Sequence, residues 1–140
     1  MLLCDTGPLV AAASRSDPHH AACVELLGAT VAEGQTIVVP PTVIAEVGYM
    51  LGVRARNPEA EEQFVRTLNS PGFRVADLLP DDLERVADLL RQYRDFPLGL
   101  TDASVLALAE RFRADRVATL DHRHFGAVRL RHVKQLRLLP

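Results

Sequence analysis

The chain has 140 residues, 48% hydrophobic and 24% charged, with a net charge of −2. That describes one ordinary globular domain, able to bury roughly 70% of the surface its unfolded chain exposes. No apolar run approaches the ~18 residues of a membrane span, two cysteines make no disulfide framework, and the near-neutral balance does not announce a nucleic-acid binder.

Short apolar runs alternate with helical patterns along the chain. "MLLC" predicts a short buried strand, stopped by Asp5 in the turn-like "DTGP". Asp17 and Pro18 predict the start of a helix over about 18–33. "TIVV" at 36–39 is β-branched and predicts a second strand, closed by Pro40 and Pro41. Thr42 then opens a helix over 42–53 with Val43, Val47 and Met50 on one face, and Glu46 as its one acid. A helix so apolar is expected to bury most of its surface, so a charge at Glu46 needs a reason. Asn57-Pro58 opens another helix, with Phe64, Val65 and Leu68 as its apolar side.

"FRVADL" predicts a third strand. Asp81 and Glu84 have capping-box spacing, ahead of Leu83, Val86, Leu90 and Tyr93 at helical intervals. Thr101 is expected to cap a helix carrying Val105, Leu108, Ala109 and Phe112. "RVATL" at 116–120 reads as a strand, and "AVRL" and "QLRLL" as one or two more. Such alternation predicts an α/β domain, a mainly parallel sheet covered by helices, with the first strand central. The N-terminus lacks the basic start and long apolar stretch of a signal peptide, which points to the cytoplasm and to reduced thiols at Cys4 and Cys23.

Charge is unevenly spread. Between Asp121 and Arg137 lie Arg123, Arg129, Arg131, Lys134 and Arg137, a net +4 that leaves −6 for the remainder. With 15 Arg and one Lys, the cations are almost all guanidinium, suited to phosphate and carboxylate forks. The segment is either a solvated face or a patch for a polyanion or an acidic partner.

In open parallel sheets, sites form beyond the carboxyl ends of the strands. Asp5 and Asp121 follow two strands, Asp102 sits in the first turn of its helix, and Glu46 lies one turn after Thr42. Singly, each acid has a bland explanation as a turn, cap or surface residue. Together, all four belong on one edge of the sheet. Two carboxylates ~4 Å apart repel by about 4 kcal/mol at an effective dielectric near 20, so a converging cluster must share protons or hold a cation. An all-oxygen donor set suits Mg²⁺ or Mn²⁺, which supports phosphodiester hydrolysis without a nucleophilic side chain.

The segments "MLLCDTGPLVAAAS", "VVPPTVIAEVGYML", "PLGLTDASVLALAERF" and "VATLDHRHF", in this order and spacing, resemble the PIN-domain family, and specifically VapC-type toxin ribonucleases of bacterial toxin–antitoxin pairs. The likeness runs from about residue 2 to the end of the chain. It implies a three-layer α/β/α fold, and Asp5, Glu46, Asp102 and Asp121 as the acids that hold one or two Mg²⁺ or Mn²⁺ ions for RNA cleavage. It implies Thr6 and Thr119 as hydroxyls that orient carboxylates or water. Structured tRNA or rRNA is the implied substrate, with a homodimer and a small cognate VapB-like antitoxin in a hetero-oligomer as the implied assembly. Arg123 and His124, nearest Asp121, would grip flanking phosphates. One departure is Gly7, where the family commonly has Ser or Asn; this bears on metal affinity. The alternatives are a PIN domain that binds RNA or a partner without cutting, and a housekeeping RNA-processing nuclease. Phosphoryl-enzyme chemistry is disfavoured, because the only lysine, Lys134, is in the tail.

Overall fold

β1 (Leu2–Cys4), β2 (Ile37–Val39), β3 (Phe73–Val75), β4 (Arg116–Ala118) and β5 (Arg137–Leu139) form one sheet in a computed structural model that describes all of residues 1–140. The order is β3-β2-β1-β4-β5 and every pair is parallel. β1 is therefore central, as its unbroken apolar run predicts, and all three of its residues are fully buried. The registers Leu3↔Val38 and Leu3↔Val117 place it between β2 and β4.

Seven helices cover the sheet: α1 (Thr6–Ala13), α2 (His20–Ala32), α3 (Pro41–Gly48), α4 (Pro58–Leu68), α5 (Pro80–Gln92), α6 (Leu100–Phe112) and α7 (His122–Ala127). With the right-handed crossovers that parallel strands adopt, this order assigns α1–α4 to one face and α5–α7 to the other. The result is the three-layer α/β/α arrangement. The chain leaves β1 toward β2 but enters β4 on its other side, so the topological switch lies at β1 and β4, where open α/β sheets place their sites. α6 is the central helix, with every residue from Ala103 to Ala109 buried.

Several local expectations are corrected. "DTGP" is no simple turn: Asp5 N-caps α1, its carboxylate accepting from the Thr6 N–H. Asp121 caps α7 in the same way, accepting from the His124 N–H. "AVRL" is no strand; it ends α7 and leads into a loop, leaving "QLRLL" to supply β5. Neither Thr101 nor Asp81 caps its helix. The N-caps are Gly99 and Leu79, which offer no acceptor, so the third-position acids Asp102 and Asp82 reach back to their N–H groups. Val65 and Leu83, placed on apolar faces above, are exposed.

α3 buries Val43 and Val47, then widens into π-helical turns over Tyr49–Arg54, which rotates Leu51 rather than Met50 into the core. Gly52 lies against the Glu61 carboxylate of α4, which occupies the space a Cβ would take.

α5 and α6 are joined by a nearly buried fork. Arg85 Nε and Nη2 donate to Glu110 at 2.7 and 2.9 Å, and Glu110 also accepts from the Arg131 N–H at 2.9 Å. Glu110→Ala strands the Arg85 guanidinium and is expected to cost about 3 kcal/mol in urea unfolding. An unchanged midpoint would show that water replaces the fork. Cys4 and Cys23 are both buried and unpaired, and burial pushes both thiols up.

Candidate active site

The four acids stand at the carboxyl edge of β1 and β4. Asp5 directly follows β1, and its N–H donates to Ala118 O at 2.9 Å, which ties it to the end of β4. It is 6% exposed, the only one of the four that is buried. Asp102 is half-buried in the first turn of α6 and Asp121 half-buried at the start of α7. Glu46 corrects its expectation: it is exposed, because the buried stripe of α3 is narrow and the helix shows its other flank to water.

Two threonines link these acids. Thr119, fully buried, donates its hydroxyl to Asp5 Oδ2 at 2.9 Å and accepts from the Asp121 N–H at 3.0 Å. One hydroxyl thus fixes the carboxylate after β1 and the backbone of the acid after β4. Thr6 donates to Glu46 Oε2 at 2.8 Å, joining the start of α1 to α3. A third hydroxyl bridge escaped the sequence reading. Thr42 on α3 meets Ser104 on α6, and Ser104 donates to Thr101 O at 2.7 Å, so the helices bearing Glu46 and Asp102 are pinned together. Thr119→Val keeps the shape but leaves Asp5 Oδ2 without its buried donor. The expected loss is about 1–3 kcal/mol in metal-free protein, read as a lower urea midpoint. A variant as stable as the parent would mean that Asp5 is protonated or solvated there.

Like charges act on one another across this edge. The Asp5 carboxyl is pushed up to about 6, chiefly by burial, with the charges of Asp102 and Glu46 adding to it against the bonds from Thr6 and Thr119. Asp102 is raised as well, by burial first and then by Asp121 and Glu46, while the Gly99 N–H and His124 oppose the rise. Yet no three acidic, His or Cys side chains stand close enough to form a ready-made metal cage. Each acid is instead held by a nearby donor: Asp102 by the Gly99 N–H at 3.2 Å, Asp121 by the His124 N–H and ring, Glu46 by Thr6. The expected convergence is therefore one of placement and field, not of touching ligands.

None of the four acids pairs with Arg or Lys. The five arginines that form ion pairs do so with Glu62, Asp82, Asp88 and Glu110, and Asp121 pairs only with His124. Gly7 packs against the loop that carries Thr119 and Asp121: a Cβ there would lie 3.3 Å from Leu120 Cβ. Close contact replaces a hydroxyl at that position.

The basic tail is not at this edge. Arg137 is in register with Arg116, the first residue of β4, at the opposite end of the strand from Thr119. Arg129, Arg131 and Lys134 lead toward that far end. Arg123 is exposed on α7 beside the site, and the His124 ring is engaged with Asp121 and with Phe96.

The fold and this edge define a class: a parallel α/β domain with uncompensated acids at its switch point. Comparison with known proteins places it further. The PIN domain family model matches residues 2–130. The ribonuclease VapC26 of Mycobacterium tuberculosis is 32% identical over 128 residues, 91% of this chain and 92% of that protein. The crystal structure of M. tuberculosis VapC20, described as a sarcin–ricin loop cleaving toxin, superposes with a TM-score of 0.78 at 17% identity, covering 96% of this chain and 99% of that one. VapBC2 from Rickettsia felis, bound to a DNA fragment from its promoter, gives 0.72 at 17% identity, covering 99% and 98%. FitAcB from Neisseria gonorrhoeae gives 0.70 at 16%, covering 100% and 97%. The chain belongs to the PIN-domain family, and among its members it is related to the VapC type.

Proposed function

We propose that the chain is a divalent-metal-dependent endoribonuclease, the toxin of a VapBC-type pair, and that it hydrolyses phosphodiester bonds in structured RNA such as tRNA or rRNA. One observation carries the chemistry: four carboxylates on one edge, in a chain with 15 arginines, have no Arg or Lys partner. Their donor set is all oxygen, which fits Mg²⁺ or Mn²⁺. Asp5, Asp102, Asp121 and Glu46 would hold the ion. Bound there, it would supply an activated water and neutralise charge on the phosphoryl oxygen.

The chain's own residues hold that edge. Thr119 orients Asp5 and spaces it from Asp121, Thr6 orients Glu46, and the α6 N-terminus faces the site with its positive dipole end.

Likeness to VapC26 supports RNA as substrate, and likeness to solved toxin–antitoxin complexes supports a small VapB-like antitoxin as partner. A homodimer that joins the antitoxin in a hetero-oligomer, in the cytoplasm, completes the reading. The test is antitoxin-free protein incubated with total bacterial RNA plus Mg²⁺ or Mn²⁺, with EDTA as control and cut ends mapped by sequencing. Discrete, ion-dependent cuts are expected. The alternative is a domain that binds RNA or a partner without cutting. Mn²⁺ binding by folded protein with no cleavage would establish that reading instead.

A further inference from the structure

One aromatic ring at the site stands apart from the core. Of five phenylalanines, Phe64 and Phe125 are in the core, Phe73 and Phe112 pack against it, and Phe96 does neither. Phe96 lies in "YRDFPLGL", the segment that enters α6. Its ring meets that of His124 edge-on, with centroids 5.0 Å apart and planes at 88°. His124 binds the Asp121 carboxylate, and Gly99, three residues after Phe96, donates its N–H to Asp102 at 3.2 Å. The aromatic pair therefore stands beside two of the four acids.

Arginines flank it on both sides. Arg94 precedes Phe96 by two residues and Arg123 precedes His124 by one. Both are exposed, and neither pairs with a carboxylate; the Arg94 Nε–H donates only to Arg91 O, at 3.3 Å. Their position, not the lack of a partner, sets them apart, since only Arg66, Arg85, Arg91, Arg111 and Arg131 are matched with acids. A partly exposed ring outside the core adds little to folding, and two unmatched guanidinium groups add less. Both suit single-stranded nucleic acid, whose bases stack on aromatic faces while cations take the phosphates on either side. A base inside a duplex is already stacked on both faces and has no use for the ring.

We propose that Phe96, braced by His124, is a stacking site for one unpaired nucleobase next to the bond that is cut, with Arg94 and Arg123 on the neighbouring phosphates. This rests on the ribonuclease reading above and narrows it: the strand is unpaired where it meets the acids, as in a loop or bulge of a folded RNA.

The test titrates a short unstructured RNA carrying 2-aminopurine onto Asp102→Asn protein, and onto the same protein with Phe96→Ala or Phe96→Trp. Stacking quenches the probe. Quenching is expected with Phe96 and Trp and lost with Ala, with Kd weakened roughly 5- to 100-fold. On the otherwise wild-type chain, Phe96→Ala is expected to raise KM for unpaired RNA while kcat holds. Equal quenching with Ala in a chain that cuts RNA, or none with Phe96, overturns the stacking site alone. A wild-type chain that cuts no RNA with either ion overturns the ribonuclease reading, and this site's substrate with it.

Discussion

Asp102→Asn is expected to abolish RNA cleavage, lowering kcat roughly 1,000-fold or more, while the protein stays folded. The magnitude follows from the several kcal/mol of transition-state stabilisation that an ion-holding group supplies, at a tenfold loss per 1.4 kcal/mol. Retention of the fold follows from the local bonding. Asp102 accepts from the Gly99 N–H at 3.2 Å, and the Asn side-chain oxygen accepts there equally well. Burial and the neighbouring Asp121 and Glu46 already disfavour a charge at Asp102. Removing it therefore leaves the metal-free chain at least as stable, while the ion loses a ligand. The measurements are cleavage of a mapped RNA, Mn²⁺ affinity by calorimetry and the urea midpoint. An inactive variant that has also lost stability would point to a structural acid; a variant that still cuts would remove Asp102 from the chemistry.

The three inner strands were legible because their runs are almost wholly apolar. "MLLC", "TIVV" and "RVATL" allow few alternatives, and a first strand with no polar face has to sit in the middle. Helices α1 and α7 were not legible. α1 opens on Thr-Gly-Pro and α7 carries Gly126, residues that read as turn, and α7 runs for only six residues. The signal present in both is the acid immediately before the first helical residue, Asp5 and Asp121, each of which caps its helix and also belongs to the site.

At α5 and α6 the caps were misplaced because a Leu and a Gly fill the N-cap positions, so acids three residues on do the capping. That has a chemical consequence at Asp102, whose carboxylate is committed to its own helix before any ion is considered. All four acids were legible as one edge of the sheet, with Thr6 and Thr119 as hydroxyls beside them; the Gly99 and His124 N–H donors and the Thr42–Ser104 bridge were not, because the first two depend on where helices start and the last joins residues far apart in sequence. Phe96 gives only a faint signal, an aromatic residue in a Pro- and Gly-containing loop with no apolar periodicity around it.

Asp5→Asn is expected to stabilise the metal-free protein at neutral pH, and the gain should vanish in acid. The Asp5 carboxyl is at about 6 in the folded chain against 3.8 for the free group, chiefly because it is buried. The folded state thus binds the proton more tightly than the unfolded state. The stability linked to that proton is complete below about pH 4 and is lost as pH rises through about 6. The difference amounts to about 3 kcal/mol. Asn carries no charge, so its variant escapes that loss, less whatever is forfeited in geometry to Thr6 and Thr119. Urea midpoints in EDTA should coincide near pH 4, apart from that geometric cost, and diverge above pH 6 with the variant the more stable. Mn²⁺ should then reverse the order at pH 7.5, because an ion that binds only the folded wild type adds stability by mass action. Parallel curves would mean that the Asp5 charge is already solvated or compensated, and a variant stabilised as much by Mn²⁺ as the wild type would mean that the ion is held elsewhere. Divergence together with reversal would tie the destabilising carboxylate and the ion to one residue, the acid that ends the first strand.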